Sequence, residues 1–230
     1  MLLGSSFLDG INDLVFPRAC LMCGTASDFI CPFCRNKINT KAVPLCPVCK
    51  VENCFNCQSD IDRLWALADY HSFGINKLVT DLKYKYLTGL LDEFWQEKIN
   101  EFCNRNYFKK EDKILVPIPL HRQKLLRRGF NQSELITAIF INNGCITNNR
   151  LLVRKINNQP QAETRGKERL ENVRDIFKVN YRELAECWDK EIVLVDDVYT
   201  TGATIGEAAR VLREKGFKKI DCLVLAVSRG

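Results

Sequence analysis

The stretch Ile192–Thr204 decides the fold, and it reads Ile-Val-Leu-Val-Asp-Asp-Val-Tyr-Thr-Thr-Gly-Ala-Thr. Its first four residues form a continuous β-branched and Leu run, typical of a strand that is buried on both faces. Two carboxylates and a turn rich in Thr and Gly follow. Apolar residues at helical spacing then predict a helix from Ile205 to Leu212. Gly216 suits the position after the helix C-cap, and Ile220–Val227 is the next apolar strand. This order predicts parallel strands joined by a right-handed crossover.

The turn after the first strand has the chemistry of a phosphate site. Backbone N–H groups at a helix N-terminus point toward an anion, and the helix dipole favours negative charge there. Gly202 lets the backbone approach the anion closely, and the Thr hydroxyls add donors. Asp196 and Asp197 come where the hydroxyls of a 5′-phosphorylated sugar would lie, and carboxylates also hold Mg²⁺. The alternative is a purely structural turn, which this combination disfavours.

Periodicity over the rest of the chain predicts an α/β domain at 61–230 behind a small N-terminal module at 1–60. The predicted strands are Leu64–Tyr70, Lys113–Pro117 and Leu151–Arg154, and the predicted helices are 2–15, 75–86, 88–104 and Ser133–Ile141. The stretch 155–175 is polar and basic, which predicts a long mobile loop running into a helix.

Composition excludes several classes of protein. The 230 residues are 46% hydrophobic and 27% charged, as in an ordinary globular chain. No apolar run reaches the roughly 18 residues that a membrane span needs. The first 14 residues lack a positive n-region and carry Asp9 and Asp13, so they do not resemble a signal peptide. We therefore expect a cytoplasmic protein rather than a fibrous, membrane-spanning, secreted or disordered one.

Eight of the 12 cysteines precede residue 58 and form four C-x-x-C knuckles. The knuckles are Cys20/Cys23, Cys31/Cys34, Cys46/Cys49 and Cys54/Cys57. Disulfides are rare in a reducing compartment, whereas two knuckles complete a tetrahedral zinc site. The pattern predicts a zinc-ribbon module with one or two structural zinc ions, whose binding supplies folding energy. Loop closure favours pairing of the knuckles in sequence order, and a cross-braced pairing stays open. The four lone cysteines (Cys103, Cys145, Cys187 and Cys222) are expected to be small buried hydrophobes.

The segment Asp196–Thr204 resembles the signature of the type I phosphoribosyltransferases, which bind phosphoribosyl pyrophosphate (PRPP) with magnesium there. It matches at nearly every position, and Tyr199 is the unusual residue. The resemblance implies a phosphoribosyltransferase-like parallel sheet flanked by helices, with Asp196 and Asp197 as the catalytic pair. The implied PRPP-binding residues of the turn are Val198, Tyr199, Thr200, Thr201, Gly202, Ala203 and Thr204.

Basic residues are concentrated in the middle of the chain. Residues 114–182 hold 13 Lys and Arg against five Asp and Glu, a local charge of +8 in a chain of net charge +6. Such an excess suggests an anionic partner (phosphates, nucleic acid or both), and charge alone does not choose between that partner and a solvated surface with none. A basic loop follows the predicted strand Lys113–Pro117, and ligands of open α/β sheets bind at the carboxyl ends of strands. Its cations, suited to the pyrophosphate, are Arg122, Lys124, Arg127 and Arg128. The alternative is a solvated turn before a helix capped by Asn131 or Ser133.

Further pieces resemble the ComF (ComFC) family of competence proteins over nearly the whole chain. They are Leu120-His121-Arg122, Arg128-Gly129-Phe130-Asn131-Gln132, Gln161, Arg169, Asn172 and Phe177, with Lys83-Tyr84 and the N-terminal knuckles. The resemblance implies a cytoplasmic protein of natural transformation that acts on incoming single-stranded DNA. Other competence or recombination proteins are further implied partners.

The resemblance also leaves three hypotheses. The protein binds PRPP and single-stranded DNA, or it transfers phosphoribose to an acceptor, or it is a scaffold with a vestigial site. The cations Arg165, Lys167 and Arg169 of the flexible loop would close over the site. In the phosphoribosyltransferases that this chain resembles, a hood around the core recognises the nucleobase. No hood follows the last strand, so we expect residues 1–110 to supply one.

Binding of single-stranded DNA requires aromatic side chains, on which bases stack, beside the basic track. The candidates, each more typical of core or rim packing, are Phe33, Phe55, Tyr84, Tyr86 and Phe130. His71 and His121 are expected to be structural.

Overall fold

The computed structural model describes residues 19–26, 29–54, 56–84, 94–104, 112–155 and 175–229. The strands are β1 (Thr40–Leu45), β2 (Arg63–Asp69), β3 (Lys113–Pro117), β4 (Ile146–Thr147), β5 (Leu152–Arg154), β6 (Phe177–Val179), β7 (Glu191–Tyr199) and β8 (Ile220–Val227). The helices are α1 (Pro32–Lys37), α2 (Ile75–Tyr84), α3 (Gln96–Cys103), α4 (Arg122–Arg128), α5 (Gln132–Asn142), α6 (Leu184–Cys187) and α7 (Ala203–Glu214), with a 3-10 turn at Tyr181–Glu183. The predicted helix 2–15 and the loop cations Arg165, Lys167 and Arg169 lie outside these ranges. Among the described helices, none has the length and apolarity to cross a bilayer.

The described strands form a central six-stranded sheet in the order β1-β2-β8-β7-β3-β4. Every neighbouring pair is parallel except β1 and β2. The long apolar runs of β7 and β8 place these strands in the middle, where both faces are covered, and all eight residues of β8 are buried. The predicted α/β fold with its parallel sheet and flanking helices is confirmed.

Strand β1 comes from the Cys-rich segment and was not predicted. It pairs antiparallel with β2, in a register from Thr40↔Ala68 to Leu45↔Leu64. Pro44 lies within it, which an edge strand tolerates because one side has no ladder to complete. The segment between the second and third knuckles therefore extends the sheet. The division of the chain at residues 60 and 61 stays a prediction.

Two buried clusters cover opposite faces of the sheet, since Val193 and Val195 of β7 join one and Ile192 and Leu194 join the other. The first cluster contains apolar residues of α2, α3 and α5, together with three cysteines of the first two knuckles. The second contains apolar residues of α7 and of a separate β5–β6 hairpin. The predicted strand near Arg154 thus lies outside the main sheet, because it pairs with β6 instead. The four lone cysteines are all buried, as expected.

A network of charged groups lies at the amino edge of the sheet, where β2, β3, β7 and β8 begin. Lys113 and Asp221 are each 3% exposed, and Lys113 Nζ lies 3.5 Å from Asp221 Oδ2. Trp65 Nε1 and Arg63 Nε each donate to this carboxylate over 3.2 Å. Lys113 also pairs with Glu191. Burial raises the pKa of Glu191, but the nearby Lys113 and Lys219 outweigh this effect and lower the pKa to about 2. The buried Lys113–Asp221 pair, with the partly exposed Arg63 and Glu191, thus links four strands at the end remote from the turn.

Replacing Asp221 tests this network. Asp221→Asn keeps the side-chain shape and removes the charge that faces Lys113. We expect the free energy of unfolding to fall by about 3 kcal/mol, because breaking one partner of a buried pair costs about 3–5 kcal/mol. Urea unfolding at neutral pH measures the change. Asp189→Asn, at an exposed carboxylate, should cost less than about 0.5 kcal/mol. Equal small losses in both variants would contradict a stabilising role for the network.

Candidate functional site

The carboxyl end of β7 differs from the sequence prediction. A strand ending at Val195 was expected, but β7 continues to Tyr199. Val198 and Tyr199 pair with Ala226 and Val227 of β8, so the pairing of β7 with β8 continues beyond the carboxylates. The predicted strand end at Val195 and the predicted helix start at Ile205 are therefore wrong, and phosphate binding by residues 196–204 stays a prediction. The turn is confined to residues 200–202, and α7 begins at Ala203.

The two carboxylates lie within β7, near its carboxyl end, rather than after the strand. Asp197 is 8% exposed, and Asp196 is half-buried. Asp196 Oδ1 accepts hydrogen bonds from Ser133 Oγ at 3.0 Å and from the Asp197 N–H at 2.9 Å. Asn131 is the N-cap of α5, as the sequence suggested, and its Nδ2 donates to the Ile118 carbonyl at 3.1 Å. The connection between β3 and α5 thus orients Asp196 at the carboxyl edge.

The turn itself prepares the helix N-terminus for an anion. Gly202 is the N-cap of α7 with φ +77°, and no side-chain cap bond closes the first turn of the helix. Thr201 Oγ1 accepts from the Ala203 N–H at 3.4 Å, which tightens the bend. After the Ala203 N–H, such a helix start leaves its next N–H groups to water or a ligand. The local geometry fits the phosphate site that the sequence predicts.

Tyr199, the unusual residue of the motif, is buried between Gly202 of the turn and the Cys-rich segment. Its side chain is 4% exposed, and its Oη donates to the Pro47 carbonyl at 2.9 Å. Pro47 lies inside the knuckle Cys46/Cys49. A Cβ on Gly202 would lie 2.2 Å from Tyr199 Oη, so the ring needs glycine at that position. The phenol therefore links the turn to the Cys-rich segment, and its predicted part in binding PRPP stays a prediction.

A second contact joins the same parts of the chain. Lys50 Nζ donates to the Ser228 carbonyl at 2.5 Å, and the Ser228 N–H donates to the Tyr199 carbonyl at 2.9 Å. His71 Nε2 lies 3.0 Å from Ser228 Oγ. The ends of β2, β7 and β8 are thus tied to each other and to residues near the third knuckle. His71 has the structural contacts that the sequence analysis expected.

The predicted basic loop is a helix, α4. His121 caps it, since its Nδ1 accepts from the Gln123 N–H at 3.3 Å, and Gly129 ends it at φ +80°. Burial, with the charges of Arg154 and Lys124, lowers the pKa of His121. Of the cations of α4, Arg122, Lys124 and Arg127 are exposed and Arg128 is half-buried. Because α4 follows β3, these cations and the carboxylates lie at the same edge of the sheet.

Arg154 is a charged residue of this region that the sequence analysis missed. It ends β5 and stacks its guanidinium 5.6 Å from the centre of the Phe177 ring. Burial lowers the pKa of Arg154, and the nearby Asp196 carboxylate opposes that change. The sequence did contain a signal for Arg154, because this cation stands at the end of a predicted strand. Asp196 was singled out because it follows a predicted strand in the same way.

The eight cysteines form two groups in sequence order. The first group is Cys20, Cys23, Cys31 and Cys34, and the second is Cys46, Cys49, Cys54 and Cys57. Within each group the four Sγ atoms lie within 4.8 Å of one another, so each could hold one zinc ion and no cross-bracing occurs. Burial acts to raise the pKa of Cys20, but backbone N–H groups lower it to about 6. The Asn56 N–H and neighbouring thiols lower the pKa of Cys54 to about 7. Each group therefore favours a thiolate.

A cleft of about 500 Å³ opens between the second cysteine group and the start of α7. Its lining includes Pro47, Val48, Ile61, Thr201 and Arg210. The cleft borders the phosphate turn, so the Cys-rich segment forms one of its walls. The sequence analysis expected a hood from the first 110 residues, and this wall comes from that part of the chain.

Comparison with known proteins agrees with this geometry. The phosphoribosyl transferase domain family matches residues 135–230, which include β7, the turn and α7. The fold of this part of the chain is therefore that of a phosphoribosyltransferase-type domain.

Whole-chain relatives are more specific. The chain is 24% identical to competence protein F of Haemophilus influenzae over 87% of this chain and 91% of that protein. It is 28% identical to competence protein ComFC of Bacillus subtilis over 81% of this chain and 79% of that one. It is 25% identical to the DNA utilization protein YhgH of Salmonella typhimurium over 88% of this chain and 94% of that one. The resemblance to the ComF family is confirmed over most of the chain.

The contact between Tyr199 and Pro47 can be tested without any ligand of the turn. Tyr199→Phe removes the bond to a buried carbonyl, which should cost about 1–2 kcal/mol. In zinc-loaded protein we expect faster loss of one zinc ion to a chromogenic chelator. Tyr181→Phe, at an exposed tyrosine, should leave the rate unchanged. Identical release curves for the parent and Tyr199→Phe would contradict the link.

Proposed function

We propose that the protein binds Mg·PRPP at the turn between β7 and α7 and handles single-stranded DNA in the cytoplasm as a competence-type protein. The observation that carries the proposal is the meeting of three features at one sheet edge. A carboxylate pair lies near the carboxyl end of β7, a helix N-terminus with glycine at its N-cap follows the strand, and the cations of α4 follow β3. This combination suits a sugar that carries phosphate at one end and pyrophosphate at the other.

Each part of the edge has a proposed role. Asp196 and Asp197 hold the ribose hydroxyls and the magnesium ion, since carboxylate oxygens are its preferred ligands. The residues that hold the 5′-phosphate are Thr200, Thr201, Gly202 and Thr204, with the backbone of Val198 and Ala203 beside them. The cations that neutralise the pyrophosphate are Arg122, Lys124, Arg127 and Arg128, and Arg165, Lys167 and Arg169 would close over it.

An active pentosyltransferase is the second candidate. The cleft beside Thr201 favours it, because it offers room for an acceptor next to the turn. Positioned charges would then stabilise an oxocarbenium-like ribose while pyrophosphate leaves. Pyrophosphate release from Mg·PRPP on adding nucleobases separates the candidates. Release that depends on one base supports transfer, and binding without release supports the first proposal.

The PRPP site is tested by calorimetry. We expect Mg·PRPP to bind the parent, and Asp196→Asn/Asp197→Asn to lose at least about tenfold in affinity, because charge-assisted contacts are the strong ones. Glu186→Gln/Asp189→Asn removes the same charge from exposed positions and should bind as the parent does. No heat from a folded, zinc-loaded parent would overturn the PRPP part of the proposal.

The metal content is a further expectation. We predict two zinc ions per chain by elemental analysis, and one after Cys54→Ser/Cys57→Ser. Cys20→Ser/Cys23→Ser should also unfold more readily, because the first group packs in the core with α2 and α5. Cys103→Ala, outside both groups, should retain two ions. A parent with fewer than two tightly bound ions would contradict this prediction.

A further inference from the structure

We propose that Phe33, Lys37 and Phe73 form the aromatic platform on which the bases of single-stranded DNA stack. The inference rests on the proposed function for its partner, and it adds the surface that receives that partner. The platform lies on α1 and on the connection between β2 and α2, apart from the cations of α4.

The two rings are exposed in spite of their size. Phe33 is 67% exposed and Phe73 is 47% exposed. Phe33 therefore does not pack in the core, which was one of the two positions expected for it. Lys37 Nζ lies 4.1 Å from the centre of the Phe33 ring and 5.8 Å from that of Phe73. One ammonium group therefore bridges both rings. Exposed rings with a cation between them are what unstacked bases and their phosphates require.

The first cysteine group holds this surface in place. Cys31 is the N-cap of α1, and its Sγ accepts from the Cys34 N–H at 3.5 Å. Met22, between Cys20 and Cys23, packs so closely on Gly74 that a Cβ there would lie 2.5 Å from its Sδ. Because Gly74 follows Phe73, the knuckle fixes one ring relative to the other. A platform held this way loses little conformational entropy when a base stacks on it.

The local charge favours nucleic acid over an apolar peptide. Helix α1 carries Arg35 and Lys37 and no acidic residue in its first turn. Arg35 is neutralised by Glu97 at 2.5 Å, whereas Lys37 is held on the rings. Lys77 is exposed in the first turn of α2. A peptide partner would need the rings alone, whereas a phosphate backbone also uses the two lysines.

The platform continues to the phosphate turn. His71 lies two residues before Phe73, is exposed and contacts Ser228, which in turn binds the Tyr199 backbone. Strands β2, β8 and β7 are consecutive in the sheet, so this path crosses about 10 Å of strand ends. A strand of DNA on the platform would therefore have an end or a sugar near the turn. This arrangement places both proposed ligands on one continuous edge.

Fluorescence anisotropy with a labelled oligothymidylate of about 20 nucleotides tests the platform on the full, zinc-loaded chain. Phe33→Ala/Phe73→Ala should weaken binding at least tenfold, because stacking contributes about 1–3 kcal/mol per base. The salt dependence of this variant should match that of the parent. Lys37→Gln should instead lower the salt slope by about one. Phe33→Tyr/Phe73→Tyr keeps flat rings and should restore affinity.

The matched control is Tyr181→Ala. Tyr181 is 69% exposed and has Lys215 Nζ 5.0 Å from its ring, so it offers the same chemistry elsewhere on the surface. We expect it to bind DNA as the parent does. Equal affinity of the parent and Phe33→Ala/Phe73→Ala overturns the platform and leaves the proposed function standing. A parent that binds Mg·PRPP but no oligothymidylate overturns the DNA part of the proposed function as well.

Discussion

The pairing of β7 with β8 is the constraint on which the rest of the structure depends. Both strands are covered on both faces, and each face packs against a different cluster. A slip of one residue would therefore move every side chain to the opposite face of the sheet and into the other cluster. This register brings Asp196 and Asp197 to one edge and leaves Asp221 at the other. The carboxylates that we propose as ligand contacts are thereby separated from the buried Lys113–Asp221 pair by the length of a strand.

The Cys-rich segment is built into this sheet rather than attached to it. Strand β1 lies between the two cysteine groups in the chain and pairs with β2. The first group shares a core with helices on one face, while Leu45 and Ile61, which flank the second, pack on the opposite face. A short segment with few apolar residues of its own thus borrows the core of the larger domain. The same arrangement supplies one wall of the cleft beside the turn.

Local chemistry made much of this predictable from sequence. The knuckle spacing predicts the cysteine groups, and the apolar runs predict the central strands. Two features were not predicted because tertiary contacts decide them. Strand β7 continues through two carboxylates since β8 offers a partner, and Arg154 is brought within electrostatic range of Asp196 by the separate β5–β6 pair. Helix α4 has a local cause, because His121 and Gly129 cap it where a basic loop was expected. The role of Tyr199 depends on a knuckle about 150 residues earlier in the chain.

The hydrogen bond from Tyr199 to Pro47 makes the second cysteine group and the phosphate turn thermodynamic partners. A ligand that orders the turn also orders Tyr199, and a metal ion that orders the knuckle acts on the same ring from the other side. Linkage then requires each to change the affinity of the other by one and the same factor. If both sites are occupied as proposed, a zinc ion in the second cysteine group changes the ligand affinity of the turn as well as stabilising the knuckle.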